Sequence, residues 1–456
     1  MEERKEVNAM AKRQKSNRNR EESYAQRRQK LTEIQYEHLV ERHVIRPSNS
    51  HYRVLDEYAH KANNVYNQAL YRVRQALFKG SWMTYSQLDK SLKKSRDQKD
   101  CMIYSSMNSV HLVQQILRLV AQNMTSWKKA RDAYRKAPHK FTGRPKLPGY
   151  HKKGGRATIF IDNQTAKLHK GGYVEIPVLD NFRIELQHKE TTAIQQVRII
   201  PQHGRFIVEV VYRTNKEITY KPDNGRYLSI DPGLDNAFAL ASNVDGFQPV
   251  LINGRPIKAL NQYYNKTRAR LYQAHDFSNQ PRSSRRLERL EFFRDQKIDR
   301  FAHEASRRIV DIALSHDIAT IVIGKNKGQK RSCYMGKRIN QNFIGIPHQV
   351  MVDMIRYKAN LEGIVVIETE ESYTSQTSFL DHEMPVRENG DKMRKKQGKS
   401  PAKRRIKRGL YRSDTGRLIN ADINAALQIL KKVVPTAYAN GIEGIGLSPI
   451  KLNLSF

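Results

Sequence analysis

A chain of 456 residues has room for several domains, and its 82 lysines and arginines against 45 aspartates and glutamates leave a net charge of +37. Basic residues occur in every segment, a surplus beyond what solubility needs; it points to a polyanionic partner bound with steep salt dependence through counterion release. Two cysteines, Cys101 and Cys333, exclude a disulfide framework and a cysteine zinc knuckle, and no apolar run reaches the roughly 18 residues of a membrane span or forms a signal peptide, so a soluble protein of a reducing compartment is expected.

Residues 1–30 are charged and almost free of apolar periodicity, which predicts a basic arm that is flexible or conditionally helical and orders on nucleic acid. From Leu31, TEIQYEHLVER alternates like a strand, and 31–48 is assigned to the first part of a β barrel. The next segment, 49–140, is helical. Val54, Leu55, Tyr58, Ala62, Val65, Tyr66, Ala69, Leu70, Val73 and Leu77 form one apolar stripe at helical spacing, and a second helix over 105–135 carries Val110, Val113, Ile116, Leu117, Val120 and Met124, with Trp127 beyond. Both stripes read as core. The Gly/Pro-punctuated basic loop FTGRPKLPGYHKKGGR then leads into short alternating runs over 157–213, which predict the remainder of an antiparallel barrel at 141–222, with the helices inserted into it.

From Gly225 the pattern turns to that of an α/β sheet. In YLSIDPGLDNAFAL an apolar strand runs into Asp231 and turns at Pro232-Gly233, so this carboxylate stands at the C-terminal mouth of a strand. A basic stretch, 261–316, includes one long amphipathic helix whose polar face suits a nucleic-acid channel. IATIVIGK (318–325) and GIVVIETE (363–370) are the clearest later strands. Residues 223–375 make one domain on this reading. Within 376–420 lie the densest basic run, either a disordered cationic linker or a phosphate-binding loop with Lys403, Arg404, Arg405, Lys407 and Arg408 as candidate contacts, and a hairpin turning at Ser413–Gly416 that packs Leu410, Tyr411, Leu418 and Ile419. In LINADINAALQIL, Asp422 opens a C-terminal helix (domain 421–456 with its tail), whose alanines allow close approach to the sheet and bring Asp422 towards Asp231.

IDPGLDNAFAL, KIDRFAHEASRRIVDIAL, IATIVIGKNKGQKR, YKANLEGIVVIETEESYTSQTSFLD and LINADINAALQIL, in this order over 225–435, resemble the TnpB (OrfB) proteins of insertion sequences, ancestors of the type V CRISPR effectors. The resemblance implies a multidomain α+β protein: a RuvC-like nuclease domain of RNase H fold, an antiparallel wedge barrel and an inserted helical recognition lobe. It further implies a prokaryotic, nucleoid-associated protein, a guide RNA from the transposon end (or a CRISPR RNA), target double-stranded DNA cut beside a short flanking motif, and one protein per guide. Two Mg²⁺ ions fit the chemistry independently, because phosphodiester hydrolysis of this kind needs clustered carboxylates.

The chain departs from the family twice. The family's middle acidic residue falls at Gly324, and the expected replacement is Glu371 from the neighbouring strand, with Glu370 or Glu368 as alternates; Asp231, Glu371 and Asp422 are then the catalytic, metal-holding set. The alternative is a nuclease-inactive, RNA-guided DNA-binding protein. Second, TSQTSFLDHE and RRIKRGLYRSDTGRLINAD lack the family's ribbon cysteines, so no zinc is expected. Asp299 and His303, one helical turn apart, are expected to orient the long helix.

Overall fold

The computed structural model describes residues 17, 19–94, 104–189, 191, 193–274, 284–325, 345–385, 404–407, 409–439, 441 and 447–454. The fold is α+β and multidomain. It divides into a unit of His38–Lys216 and a unit drawn from Met1–Glu37 and Glu217–Phe456. Among the described residues no helix is long and apolar enough to cross a membrane. The first described helix, α1 (residues 19–32), belongs to the second unit.

The His38–Lys216 unit begins with β1 (His38–Ile45) and continues through α2 (Tyr52–Phe78), α3 (Tyr85–Lys94) and α4 (Val110–Lys136). Six strands follow: β2 (Ile159–Asp162), β3 (Lys167–His169), β4 (Tyr173–Ile176), β5 (Phe182–Glu185), β6 (Ile194–Gln202) and β7 (Arg205–Arg213). The stripe read on α2 is buried from Leu55 to Val73, as is that of α4 from Val113 to Met124, and they share one core with the strands. Val110 is the exception at 46% exposure. Helix α3 was not expected; Leu88 and Leu92, four apart, bury it.

The described strands pair as two sheets, β1-β7-β6-β2 and β3-β4-β5, so their hydrogen bonds do not close one ring. The division occurs at Asp162, whose Oδ1 accepts from Thr165 N (3.0 Å) and Oγ1 (2.9 Å) and turns the chain out of the larger sheet after four residues of β2. The isolated early strand does join this larger sheet, through antiparallel β1–β7 pairing, but it starts at His38 rather than Leu31.

Residues 31 and 32 instead end α1, and this corrects the reading of the arm. Tyr24 and Leu31, seven apart on one helix face, pack on the sheet of the second unit. Tyr24 is 7% exposed, and its hydroxyl donates to Asp223 Oδ2 at 2.6 Å. Arg28 donates to Lys221 O (2.6 Å) and Thr320 Oγ1 (3.2 Å). Arg27 also donates to Glu368 O, and these few anchors do not register against so many charges in the sequence. Residues 1–16 and 18 of the arm lie outside the described residues, as do Cys101 and Cys333.

In the second unit the chain forms β8 (Tyr227–Pro232), β9 (Asn236–Ser242), β10 (Val250–Asn253), α5 (Arg255–Gln273), α6 (Arg285–Ser315), β11 (Thr320–Lys325), α7 (His348–Leu361) and β12 (Val365–Glu370). A small antiparallel sheet of β13 (Arg405–Lys407), β14 (Leu410–Arg412) and β15 (Leu418–Asn420) precedes α8 (Ala421–Val433). The main sheet has the order β12-β11-β8-β9-β10-β16, where β16 (Ile450–Leu452) is an edge strand from the expected tail, parallel to β10. Strands β8, β11 and β12 run parallel, so their C-terminal ends share one edge.

Alternation assigns the two faces of this sheet. Leu228, Ile230, Ile321, Ile323 and Val366 pack with α6 and α7. Tyr227, Val322, Val365 and Ile367 pack with Ile429, Leu430 and Val433 of α8. Lys358 of α7 donates to His303 O (2.7 Å) and Ser306 Oγ (2.8 Å) of α6; burial, with Arg307 nearby, pushes its pKa down to about 8. Asp299 and His303 lie 4.0 Å apart on the partly exposed side of α6.

A candidate carboxylate active site

Asp231 is the second-last residue of β8, on the face that carries Ser229 and Tyr227 and therefore looks towards α8. The parallel register Ile323↔Ile230 sets Gly324 beside it. On β12, Val365 and Ile367 share the α8 face, and the same period carried two steps past Thr369 brings Glu371 to that face while Glu368 and Glu370 fall on the other.

The side chains follow this rule. A Cβ built on Gly324 would lie 3.0 Å from Glu371 Oε2 and 2.6 Å from Ile429 Cδ1, so the carboxylate of Glu371 occupies the space a side chain at 324 would need. Glu368 instead pairs with Lys325 and Arg356. Glu370 is exposed, meets Ser372, and has its Oε2 3.8 Å from Lys432. Neither alternate reaches Asp231 as Glu371 does.

Asp422 enters from the first turn of α8. Asn420 caps this helix, its Oδ1 accepting from Asp422 N at 2.9 Å and Ile423 N at 3.2 Å. The buried Ala425 and Ala426 let α8 lie close over β8 and β9. Asn236 of β9 donates from Nδ2 to Asp422 Oδ2 at 2.7 Å and fixes the carboxylate. Sequence reasoning missed Asn236, although its place five residues after Asp231, across the Pro232-Gly233 turn, was a usable signal. Gly233 is required there: a Cβ would lie 2.6 Å from Asn236 O.

The turn carrying Glu371 is tied to the same helix. Thr374 Oγ1 donates to Glu371 O (2.8 Å), and Lys432 Nζ donates to Ser372 O (3.3 Å). The fully buried Asn424 donates to Thr377 O and accepts from Phe379 N, both at 2.9 Å. Glu371 and Asp422, 51 positions apart by subtraction of their numbers, are thus held by one helix.

The electrostatics are those of an unbalanced acidic site. Loss of solvation, then the charges of Glu371 and Asp422, raise the Asp231 pKa well above the ordinary carboxylate range, while Arg405 opposes them. Among the described residues no group of three His, Cys, Asp or Glu side chains is set to hold a single ion. That arrangement still fits Mg²⁺, a hard cation that takes one or two carboxylates and completes its shell with water and substrate phosphate oxygens. The donors here are all oxygens.

The basic run divides. Arg405 and Lys407 are exposed on β13, and Arg405 is near enough to act on Asp231. Lys403 and Arg408 lie outside the described residues. Arg404 is not a phosphate contact: it is 9% exposed and its guanidinium is enclosed by carboxylates. It donates to Glu383 (3.1 and 3.0 Å) and to Asp414 Oδ1 (3.1 Å), with the Tyr411 hydroxyl at 3.5 Å and Asp381 Oδ2 at 3.9 Å. Burial would lower its pKa, but Tyr411 and Glu383 hold it above the ordinary arginine value. Only Tyr411 and Ile419 of the four hairpin residues are core; Leu418 on the opposite side is 50% exposed. The hairpin therefore closes around an ion-pair cluster as much as an apolar one.

Residues 208–330 match the OrfB family of IS605 elements, described as a probable transposase, and residues 348–429 match the family described as Cas12f1-like, TNB domain. No curated protein matches the chain in sequence. Among solved structures it aligns with a Cas12f1–sgRNA–target DNA complex at 14% identity and a TM-score of 0.35, covering 86% of this chain and 98% of that one. A CRISPR-Cas12f ternary complex gives 13%, 0.33, 83% and 80% in the same terms. Alicyclobacillus acidoterrestris C2c1 with single-guide RNA gives 10%, 0.33, 94% and 71%. The two family matches fall in chain order over residues that include Asp231, Glu371 and Asp422, and together they support a TnpB-type protein.

Proposed function

We propose that this protein is an RNA-guided endonuclease that cuts double-stranded DNA beside a short flanking motif, by metal-dependent hydrolysis in a RuvC-like domain of RNase H fold. Base pairing with a guide RNA from the element's end reads the target, and the protein reads the flanking motif and duplex shape. The observation that carries the reading is Glu371, seated over Gly324 beside Asp231. It also counts against the alternative of an inactive DNA-binding protein, whose motive was the missing carboxylate at Gly324.

Asp231, Glu371 and Asp422 would hold the Mg²⁺ ions. When bound, these supply an activated water and charge stabilisation at the leaving oxygen. Asn236 keeps Asp422 oriented before substrate arrives, and Asn424 fixes the turn that presents Glu371. Arg405, exposed and near enough to act on Asp231, and Lys407, exposed on the same short strand, meet the phosphate charge of the incoming strand. One protein per guide RNA is the expected assembly, with the helices and strands of His38–Lys216 serving as recognition lobe and wedge.

The test is cleavage of a plasmid library by protein co-expressed with its flanking RNA in Mg²⁺. Guide-dependent cutting, absent in Asp231→Ala, supports the proposal; guide-dependent binding by the wild type without cutting would return the inactive reading. Gly324→Ala checks the relocated glutamate separately. The added methyl pushes on Glu371 and the flexible end of Ile429, so single-turnover cleavage should fall by about 10- to 100-fold, as for a displacement of about 1 Å. The stability cost should stay near 1 kcal/mol because both neighbours are side-chain ends. Unchanged cleavage would mean that Glu371 is not in the site.

A further inference from the structure

One face of α2 carries aromatic residues that no core needs. Tyr71 is 50% exposed, Phe78 is 62% exposed, and Tyr150, from the loop after α4, is 47% exposed. Between the first two in sequence, at i+3 from Tyr71 and i−4 from Phe78, stands Arg74 on the same face. Its guanidinium carbon lies 4.8 Å from the Tyr150 ring centroid and 5.7 Å from that of Phe78. Its Nε is buried with no hydrogen-bond partner among the described residues.

The loop is strapped to the helix and so holds Tyr150 in place. Asn67 donates to His151 O (3.1 Å) and accepts from His151 N (2.8 Å); Asn63 donates to Lys152 O (3.0 Å). The His151 ring stacks on Tyr66 at 3.9 Å and 3°. Segment 138–156 contains no acidic residue, and its Lys140, Arg144, Lys146, Lys152 and Lys153 are exposed. Rigid aromatic faces beside a cationic segment free of acidic residues are complementary to bases on a phosphate backbone. At 1.5 Å per residue the seven positions from Tyr71 to Phe78 span about 10 Å, about three base-stacking steps.

We propose that Tyr71, Phe78 and Tyr150, with Arg74 over the latter two rings, form a stacking shelf for unpaired bases in a loop or bulge of a folded RNA. This rests on the RNA-guided reading above and adds a site to it. RNA is the favoured occupant because its loops present unstacked bases in their ground state, whereas bases of a DNA duplex must first be unpaired at a cost of a few kcal/mol.

The test uses the full chain and three labelled RNA probes, a hairpin with an all-uridine loop, the same hairpin with an abasic loop and a fully paired duplex, with single-stranded DNA of the loop sequence as a control. Phe78→Ala and Tyr150→Ala, both at exposed positions, should each weaken binding of the uridine loop by about 5- to 150-fold. They should leave the other probes and the thermal midpoint unchanged. Lys152→Ala should weaken all three and lower the salt slope by about one. Equal affinities of wild type and aromatic variants for the uridine loop, equal losses on the abasic loop, or a larger loss on single-stranded DNA of the loop sequence would each overturn the shelf. A wild type that binds none of the RNAs would overturn the RNA-guided reading as well.

Discussion

Asp231→Asn is expected to abolish cleavage and, in the absence of divalent cations, to make the protein more stable. The two effects have one cause. Asp231 is half-buried, and loss of solvation together with the charges of Glu371 and Asp422 raises its folded pKa well above its unfolded value. The folded metal-free state therefore binds the proton more tightly than the unfolded chain. Stability from this group is fully present below the ordinary carboxylate pKa and is lost as pH rises through the raised one. Asparagine removes the charge and with it the loss. Thermal scans in chelator should show a wild-type midpoint that falls with rising pH through that window and a variant midpoint that falls less. In Mg²⁺ the order changes, because cation binding favours the wild type.

For cleavage, loss of a ligand that supports charge stabilisation worth several kcal/mol corresponds to about 1,000-fold or more. Glu371→Gln should reach the same range, while Glu370→Gln, exposed and turned to Ser372 and Lys432, should stay within about threefold of wild type. A wild-type rate in Glu371→Gln with a lost rate in Glu370→Gln would reverse the assignment drawn from strand alternation.

Arg404→Met is expected to cost about 3–5 kcal/mol, the usual cost of removing one partner from a buried ion pair and leaving the other charges uncompensated. The side chains left behind are Asp381 and Glu383, 10% and 19% exposed, while Asp414 at 53% can be rehydrated, which holds the loss towards the lower figure. Glu383 also accepts from Ser378 N at 2.7 Å, and Asp381 accepts from Asp414 N at 3.0 Å. The substitution therefore loosens both the turn that follows Glu371 and the hairpin that precedes Asp422. Amide exchange over 371–383 and 410–420 should accelerate, and the thermal midpoint should fall. Arg405→Ala, at the next position but exposed, should change stability by no more than about 0.5 kcal/mol and lower cleavage. A zinc chelator should alter neither midpoint nor exchange, since 376–420 contains no cysteine. If Arg404→Met leaves exchange in the hairpin unchanged, the ion-pair cluster does not hold it.

Asp231 and Asp422 were legible because each is announced locally: one by an apolar strand ending in a turn, the other by a helix start followed by small residues. The apolar stripes of α2 and α4 and the strands β11 and β12 were legible for the same reason, since period and punctuation are properties of neighbouring residues. The identity of the third carboxylate was half legible. Strand alternation separates Glu371 from Glu368 and Glu370, but only the parallel register of β11 with β12 and the space over Gly324 make that separation count.

Arg404, Asn236 and α1 were decided by tertiary structure alone. A basic run looks uniform in sequence, and what divides Arg404 from Arg405 is burial among Asp381, Glu383 and Asp414, the nearest of which is ten positions away. Asn236 is an ordinary strand residue until Asp422 arrives 186 positions later. Helix α1 reads as a charged arm until Tyr24 meets Asp223 and Thr320. Residue type and local period determine which chemistry a chain can offer; desolvation and pairing across distant segments determine which of the chemically equal side chains carry it.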